Sequence, residues 1–393
     1  MNAIYAASFY TFVQNQPLNK SINMSCKILF ASLSYLFLNL SCADGKVNDK
    51  GSDTTASVPH AKTDISKTPV DTIITFSAVG DIMFGSNFPD KSKMPPDEGK
   101  NLLSEASDFL KATGITFGNL EGTLLDSGGV PKGVGQNIYC FRQPVKYVNL
   151  FKENGFNLLS IANNHINDFG PVGIETTIKT LQTAGLNFAG TPTHPYIIFD
   201  KGSLKIGMIA FAPHAGCLNL NDIANATKLV KEAKAKCDIL MVSFHGGAEG
   251  EGHQRVTRKR EFFFGQDRGD VYEFAHQMID SGADLVIGHG PHVVRGMEVY
   301  KSRLIAYSLG NFCTYGMFSL SGSKAFAPLL QFELDHNGKF NKGKIISFLQ
   351  LGEGGPVKDA NNAAAKRIKE LSQQDFPESK LQIDDEGNLS YIE

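Results

Sequence analysis

The segment 283–312 constrains the fold of this chain more than any other stretch. It begins with the apolar, β-branched run 285–287, which is typical of a strand buried on both faces. His289 and His292 follow on either side of a Gly-Pro pair, which indicates a turn and excludes a regular helix. Both imidazoles are therefore expected on a loop at the carboxyl end of a strand, where open α/β sheets place their ligand crevices. Taken alone, the pair is equally consistent with hydrogen bonding within its loop.

The same pattern recurs along the chain. Further apolar runs end in side chains that can bind a metal or carry a proton: Asp81, Asn119 with Glu121, Asn164 with His165, and His245. A globular protein does not need carboxylates, amides and imidazoles at successive strand ends for its stability. The recurrence therefore predicts an α/β fold with a functional site where the strands end.

Hydrophobic periodicity predicts the remaining elements. Strands are expected over 75–79, 115–117, 158–161, 205–211, 239–244 and 304–307, and helices over 102–113, 144–154, 172–184 and 271–281. Near the end, Asn337-Gly338 between the apolar runs 329–334 and 345–351 indicates a hairpin. Residues 360–373 are expected to form a polar peripheral helix, and the last twenty residues a loose tail.

The mixture of Asp, Glu, Asn and His suits a metal site with oxygen and nitrogen ligands that holds one or two divalent ions. Such a site lowers the pKa of a bound water and clamps the oxygens of a transferring phosphoryl group. Because imidazoles and amides are neutral ligands, the ions keep most of their Lewis acidity. The sequence does not choose among Mn, Fe and Zn.

Six motifs, taken in order, resemble one known family. They are GDIM, GNLEGTL, ANNHINDFG, HGGAE, GHGPH and YSLGNF. As a set they resemble the CapA family of poly-γ-glutamate capsule synthesis proteins, a branch of the calcineurin-like metallophosphoesterase superfamily. The resemblance covers roughly residues 72–357. It implies a four-layer α/β/β/α sandwich of the metallo-dependent phosphatase type, with the site at one edge of the paired sheets.

The resemblance also implies roles for individual residues. The matched positions give Asp81, Asn164, His245 and His289 as metal ligands and His165 as a catalytic group. Glu121, as a further ligand or catalytic group, and His292, as a further catalytic group, are expected from their own chemistry where the chain departs from the pattern. Of the catalytic groups, His165 matches the substrate-facing histidine of the superfamily.

The chain departs from the superfamily pattern in three places. Met83 stands where a metal-binding histidine is usual, Asn119 stands where the bridging aspartate is usual, and His292 is displaced by one position. Three interpretations follow. Glu121 and His292 compensate for the missing ligands, or the site holds a single metal, or the chemistry needs no metal.

The beginning of the chain has the features of an export leader. The apolar run 28–40 follows Lys20 and Lys27, ends just before Cys42, and is shorter than the ~20 residues of a membrane-spanning helix. It resembles a bacterial lipoprotein leader, with Met24 as an alternative start. Lipidation of Cys42 would make the chain an exported, membrane-anchored lipoprotein of the bacterial cell envelope. A buried helix near an ordinary N-terminus is the alternative.

Composition changes sharply after the leader, so four segments are expected. Residues 1–42 are the leader, and the polar residues 43–71 are a disordered tether. Residues 72–357 form the CapA-like domain, and 358–393 form a C-terminal helix and tail. The 393 residues are 42% apolar, which is ample for a large core.

Net charge and cysteine spacing give no indication of nucleic-acid binding, a zinc ribbon or a redox motif. The net charge of −2 gives no argument for nucleic acid, and the six cysteines lack the C-x-x-C spacing of zinc ribbons and redox motifs. The expected partners are an anionic polymer or phosphoester substrate and membrane proteins of capsule synthesis. The basic run 255–260 is either a solvated face or an anion-binding wall. The cysteines are expected as buried thiols, with one disulfide as the alternative.

Three functions remain open at this point. The first is a metal-dependent hydrolase that acts on a phosphoester or an anionic polymer and is linked to capsule or poly-γ-glutamate synthesis or export. The second is a non-catalytic polymer-binding or assembly protein of the envelope. The third is a metal-independent enzyme in which Glu121 and the histidines act as acid and base.

Overall fold

The computed structural model describes residues 73–135, 138–352 and 354–392, so the expected leader, Cys42 and the tether lie outside the described residues. The strands are β1 (Ile74–Met83), β2 (Ile115–Leu120), β3 (Thr123–Leu124), β4 (Arg142–Gln143), β5 (Leu158–Ser160), β6 (Asn187–Ala189), β7 (Tyr196–Lys201), β8 (Leu204–Phe211), β9 (Ile239–His245), β10 (Glu261–Phe263), β11 (Gln266–Gly269), β12 (Leu285–His289), β13 (Met297–Tyr300), β14 (Arg303–Ala306), β15 (Asn311–Thr314), β16 (Leu329–Leu334), β17 (Phe340–Ile346), β18 (Phe348–Gln350), β19 (Pro356–Lys358), β20 (Leu381–Ile383) and β21 (Asn388–Tyr391). The helices are α1 (Ser107–Lys111), α2 (Val148–Glu153), α3 (Gly170–Ala184), α4 (Ile223–Lys234), α5 (Val271–Asp280) and α6 (Ala363–Asp375).

Two large sheets organise these elements. The first has the order β20-β21-β17-β16-β1-β2-β5-β6, and β15 also pairs with β1. Its strands β1, β2, β5, β6 and β15 run parallel, whereas β16, β17, β20 and β21 form an antiparallel half. The second sheet has the order β13-β14-β12-β9-β8-β7, with a parallel centre and antiparallel edges.

Three apolar clusters show how the sheets and helices are layered. One cluster lies between the sheets and joins residues such as Phe76 of β1 and Met241 of β9. A second joins the first sheet to α1, α2 and α3, and a third joins the second sheet to α4 and α5. The order is helix, sheet, sheet, helix, so the expected α/β/β/α sandwich is confirmed. Two-sided burial also explains why the central strands are continuously apolar.

Several predicted elements differ in their bounds, and hydrogen bonds explain two of these differences. The helix expected over 102–113 is reduced to α1, because the preceding turns use hydrogen bonds over three residues, such as Ala106 N to Leu103 O. The expected hairpin forms, but its second strand is β17 rather than 345–351, and Leu334 faces Phe340 across the turn. The tight turn at 335–338 leaves little connecting chain, so pairing resumes at once.

The helix expected over 360–373 forms as α6, but it is not peripheral, and the expectation of a loose tail is wrong. Helix α6 buries Ala365, Ile368 and Leu371 in the cluster between the sheets. Beyond it, β21 pairs with β17, and β20 pairs with β21. Ile383 and Leu389 point inward from these strands and are buried. The segment after 358 therefore completes the first sheet.

Two further features bear on the sequence-based expectations. No helix among the described residues is long and apolar enough to cross a membrane. The cysteines at 140, 217, 237 and 313 are free thiols, so none of these four forms the disulfide considered as an alternative.

Candidate metal and acid–base site

The carboxyl ends of the parallel strands bring most of the expected site residues to one edge of the sandwich. In the first sheet, Asp81 of β1 lies beside Asn119 of β2. In the second sheet, His289 of β12 lies beside His245 of β9. All four side chains are fully buried. Backbone pairing within each sheet therefore fixes the positions of these four side chains.

The turn after β12 depends on backbone conformations that few residues adopt. Gly290 has a φ of +113°, and a Cβ there would lie 2.8 Å from the backbone nitrogen of Gly246, so glycine is required. His292 has a φ of 55°, which is uncommon for a residue with a side chain. This conformation accompanies the entry of His292 into the site despite its displaced position in the motif.

Asp81 is the carboxylate on which the histidines converge. Its Oδ1 accepts a hydrogen bond from Asn119 Nδ2 at 2.8 Å. The same oxygen lies 3.4 Å from His289 Nδ1 and 4.0 Å from His245 Nδ1. Its Oδ2 lies 3.1 Å from His292 Nδ1. Groups from both sheets thus meet on one carboxylate.

Glu121 lies between two imidazoles. His292 Nδ1 faces two acceptors, Asp81 Oδ2 and Asn311 Oδ1 at 3.0 Å, so this nitrogen carries the proton. The other ring nitrogen, Nε2, lies 3.6 Å from Glu121 Oε1. On its other side, Glu121 Oε1 is 3.9 Å from His165 Nε2. Glu121 can therefore exchange a proton with either ring after a small movement.

The structure explains two of the departures from the superfamily pattern. Met83 does not reach the centre, and its sulfur instead accepts a hydrogen bond from the Gly85 backbone at 3.3 Å. Asn119 holds Asp81 in place and lies 3.3 Å from His245 Nδ1. Asn163 in turn donates to Asn119 Oδ1 at 3.1 Å. Asn163 was not predicted as a site residue, although it is adjacent to Asn164 in the motif.

His165 belongs to a second hydrogen-bonded group. Its Nδ1 lies 2.7 Å from Asp168 Oδ2, and Asp168 also accepts a hydrogen bond from the Phe141 backbone at 2.6 Å. Lys132 Nζ pairs with the other Asp168 oxygen at 2.6 Å. The Phe141 ring stacks on the imidazole with 3.8 Å between centroids. Asp168 was missed as a site residue, and its spacing of three residues from His165 was the available signal.

Burial and neighbouring charges set opposite protonation preferences at the centre. Burial alone would raise the pKa of Asp81, but the neighbouring imidazoles of His289 and His292 hold it well below its usual range. Burial disfavours the charged form of His292, yet Glu121 and Asp81 raise its pKa to about 10. Their mutual attraction thus favours the anionic form of Asp81 and the protonated form of His292.

Burial favours the neutral forms of Glu121, His245 and His165. Burial raises the pKa of Glu121 well above its usual range, although His292 opposes this, and Asp81 adds to it. Burial lowers the pKa of His245 well below its usual value. Burial also lowers the pKa of His165, against the opposing charge and hydrogen bond of Asp168. Neutral imidazoles are the form that binds metal.

The donor set fits a divalent metal ion. Asp81, Glu121 and His292 each offer an atom within 4.8 Å of the others. Both Glu121 carboxylate oxygens, His245 Nε2 and both His289 ring nitrogens are buried without a hydrogen-bond partner. Buried polar atoms are rarely left unpaired without a functional reason. A mixed carboxylate and imidazole set suits Mn, Fe or Zn and does not distinguish among them.

An open cleft of about 760 Å³ reaches this centre. Asn164, His165 and His292 line it, and the Asn164 Oδ1 atom is buried without a hydrogen-bond partner. Phe318 covers the other side, with its ring 5.1 Å from the rings of both His292 and Phe141. His214 also lines the cleft, with its ring 6.3 Å from that of His245. The expected site residues are thus brought together, with Asn164 on the cleft wall.

The basic run 255–260 does not line this cleft. Arg255 pairs with Asp375, and Arg258 Nη2 lies 2.5 Å from Glu378 Oε1. The cleft instead contains Arg268, which was not predicted as a site residue. No sequence signal distinguished Arg268 from the basic run that precedes it.

Comparison with known proteins gives one family. The model for the bacterial capsule synthesis protein PGA_cap matches residues 75–315. Capsule biosynthesis protein CapA of Bacillus anthracis is 27% identical over 307 residues, which cover 73% of this chain and 70% of that protein. PGA biosynthesis protein CapA of Bacillus subtilis (strain 168) is 27% identical over 295 residues, which cover 71% of this chain and 72% of that protein.

Solved structures also align with this chain. A 5'-nucleotidase precursor from Thermus thermophilus aligns with a TM-score of 0.41 and 16% identity, over 77% of this chain and 59% of that chain. A purple acid phosphatase, PPD1, from yellow lupin aligns with a TM-score of 0.41 and 11% identity, over 73% of this chain and 54% of that chain.

Proposed function

We propose that this chain, which belongs to the bacterial capsule synthesis protein PGA_cap family, is a metal-dependent hydrolase. The proposed substrate is a phosphoester or an anionic polymer of capsule or poly-γ-glutamate synthesis, in line with the names of the two CapA relatives. One observation carries the proposal. Glu121, His245 and His289 place unpaired buried donor atoms around the Asp81 carboxylate. A bound cation would satisfy these atoms, which otherwise cost free energy.

The first group of side chains would bind the metal. Asp81, Glu121, His245, His289 and His292 would hold the ion or ions. When bound, a divalent metal would act as a Lewis acid on the substrate oxygen and would lower the pKa of a water.

His165 is the proposed proton carrier. It lines the cleft beside the centre, and Asp168 fixes the orientation of its ring through Nδ1. Its Nε2 is therefore free to protonate a leaving group or to stabilise developing negative charge. The Phe141 ring stacked on the imidazole excludes water from one face.

Metal content tests the proposal directly. Protein purified without added metal should contain near-stoichiometric Mn, Fe or Zn by plasma mass spectrometry. It should hydrolyse an aryl phosphoester, lose this activity after chelation, and regain it when the metal is returned. Activity that persists while no divalent metal binds at micromolar concentration would contradict the proposal.

A second candidate is metal-independent acid–base catalysis. The position of Glu121 between His165 and His292 favours it, because a carboxyl group 3.9 Å from one imidazole and 3.6 Å from the other can pass a proton between them. This candidate predicts that chelation leaves turnover unchanged and that Glu121→Gln abolishes it. Polymer binding without metal or turnover would indicate the non-catalytic assembly role instead.

The proposed location is the cell envelope, with a lipid anchor at Cys42 and membrane proteins of capsule synthesis as partners. The support is the short apolar run 28–40 before Cys42. Cys42→Ala should abolish lipid labelling and release the protein from the membrane fraction. A wild-type protein found in the cytoplasm with residues 24–42 intact would contradict the anchor.

A further inference from the structure

The hairpin β10–β11 forms part of the cleft wall and is held by a buried ion pair. Arg295 is fully buried and donates to both oxygens of Glu261 on β10, at 2.8 and 2.7 Å. The same Glu261 accepts a hydrogen bond from the Ala248 backbone at 2.8 Å. On β11, the carbonyl of Arg268 accepts a hydrogen bond from Gly247 at 2.8 Å. The hairpin is thus fixed to the loop that follows β9.

This arrangement places the Arg268 guanidinium in the cleft with unused donors. Arg268 lines the cleft, yet the residue is only 5% exposed. Its Nε and Nη1 atoms are buried without a hydrogen-bond partner. Nη1 forms an ion pair with Glu249 Oε1 at 2.8 Å, but it has no hydrogen-bond partner. Phe263 covers the guanidinium, with its ring centroid 5.5 Å away.

Unpaired donors on a buried guanidinium are costly, because the group loses its water without gaining an acceptor. Other arginines of the same region do not show this pattern: Arg260 Nη1 lies 2.5 Å from Asp267 Oδ2, and Arg295 is fully hydrogen-bonded through Glu261. The planar guanidinium matches the two oxygens of a carboxylate or phosphate. The unused face of Arg268 is therefore suited to an anionic ligand.

We propose that Arg268 forms a second anion subsite of the cleft, which binds an oxyanion of the ligand other than the group that reacts at the metal centre. Glu249 occupies this subsite in part and competes with the ligand for the guanidinium. The ligand then carries at least two anionic groups. The conclusion that the substrate carries two anionic groups rests on the proposed hydrolase function. The conclusion that Arg268 binds an anion does not depend on it.

The test measures binding rather than turnover, on full-length protein freed of metal by chelation and desalting. Inorganic tripolyphosphate and a short glutamate oligopeptide are titrated calorimetrically, to distinguish phosphate from carboxylate recognition. Arg268→Gln should weaken binding of at least one probe by ~10–100-fold, as expected for lost charge-assisted hydrogen bonds. Arg268→Lys should recover part of the affinity, since it restores the charge but not the fork.

Two further variants separate ligand binding from a structural role. Glu249→Gln should tighten binding of the same probe, because it removes the competing carboxylate; a purely structural Arg268–Glu249 pair predicts no gain. Arg260→Gln removes the same charge immediately before β10, outside the cleft lining, and should leave affinity unchanged. Unaltered binding in both Arg268→Gln and Glu249→Gln would overturn the subsite. If Arg268→Gln does not fold, Glu249→Gln decides alone. Loss of anion binding in Arg268→Gln together with absence of metal in the wild type would retain the subsite and reject the hydrolase.

Discussion

The metal centre and the cleft wall are built in different ways. Asp81, His245 and His289 lie on paired strands, so sheet hydrogen bonds determine their positions. His165 and Arg268 lie on a loop and on a short hairpin, held by a few side-chain contacts such as Asp168 and the Glu261–Arg295 pair. A centre on paired strands beside a wall held by side chains is the arrangement expected when the reaction is conserved and substrate specificity varies. The two regions should therefore respond differently to substitution.

The largest effect is expected from His245→Ala. Removing a buried ligand should abolish both bound metal and turnover, because the remaining groups cannot fix the ion. The matched control is His214→Ala, which removes another imidazole whose ring lies 6.3 Å from that of His245 and is not among the contacts of Asp81. Metal-to-protein ratio after dialysis and turnover are the two measurements. Full metal content in His245→Ala would remove this histidine from the ligand set.

His165→Ala should lower turnover without changing metal content, and so distinguish the cleft wall from the centre. Metal content should stay at the wild-type ratio, while turnover falls by ~10²–10⁴-fold, the usual contribution of a general acid or base. The reason is that His165 faces the cleft and touches the centre only at 3.9 Å through Glu121. If metal and turnover are lost together, His165 is part of the metal centre and the comparison fails.

Asp168→Asn should have a smaller effect of the same kind. The amide cannot hold His165 and Lys132 as the carboxylate does, so the ring loses its fixed orientation. We expect kcat to fall by ~10–100-fold, as for other residues that orient a functional histidine, with KM and metal content unchanged. A change in KM alone would indicate that Asp168 shapes the cleft rather than positions the imidazole.

The smallest effect is expected outside both regions, at Arg260→Gln. Its partner is Asp267, and both side chains are largely exposed, so the pair should contribute at most ~1 kcal/mol to the free energy of unfolding. Metal content and turnover should not change. A measurable loss of turnover would indicate that the basic run 255–260 contributes to the cleft wall.

Local sequence was sufficient to predict the residues of the centre, because each apolar run is followed by its own functional group. His245 and His289 are the last residues of their strands, Asp81 lies two residues before the end of β1, and parallel strands present these ends at one edge. The interpretation of Glu121 and His292 as compensating groups agrees with their positions beside Asp81. Their roles as ligands or proton carriers stay predictions.

Sequence was insufficient wherever a distant contact decides position. Arg268 reaches the cleft only because Glu261 pairs with Arg295, a residue in the loop after β12. Strands β20 and β21 have only three and four residues, and they form because β17 offers an edge to pair with. Neither feature leaves a periodic signal in its own segment, so the tail was expected to be loose.

The position of β1 in the first sheet has a consequence for how the chain reaches its native state. Its first residues pair with β16 and its last residues with β15, whereas its other edge pairs with β2. Asp81 faces Asn311, so one wall of the site is complete only when residues more than half the chain apart have met. Such distant pairing makes folding slow and leaves early strands open while the chain is synthesised. A slowly folding chain stays accessible longer to chaperones and to any ligand that enters before the sheets close.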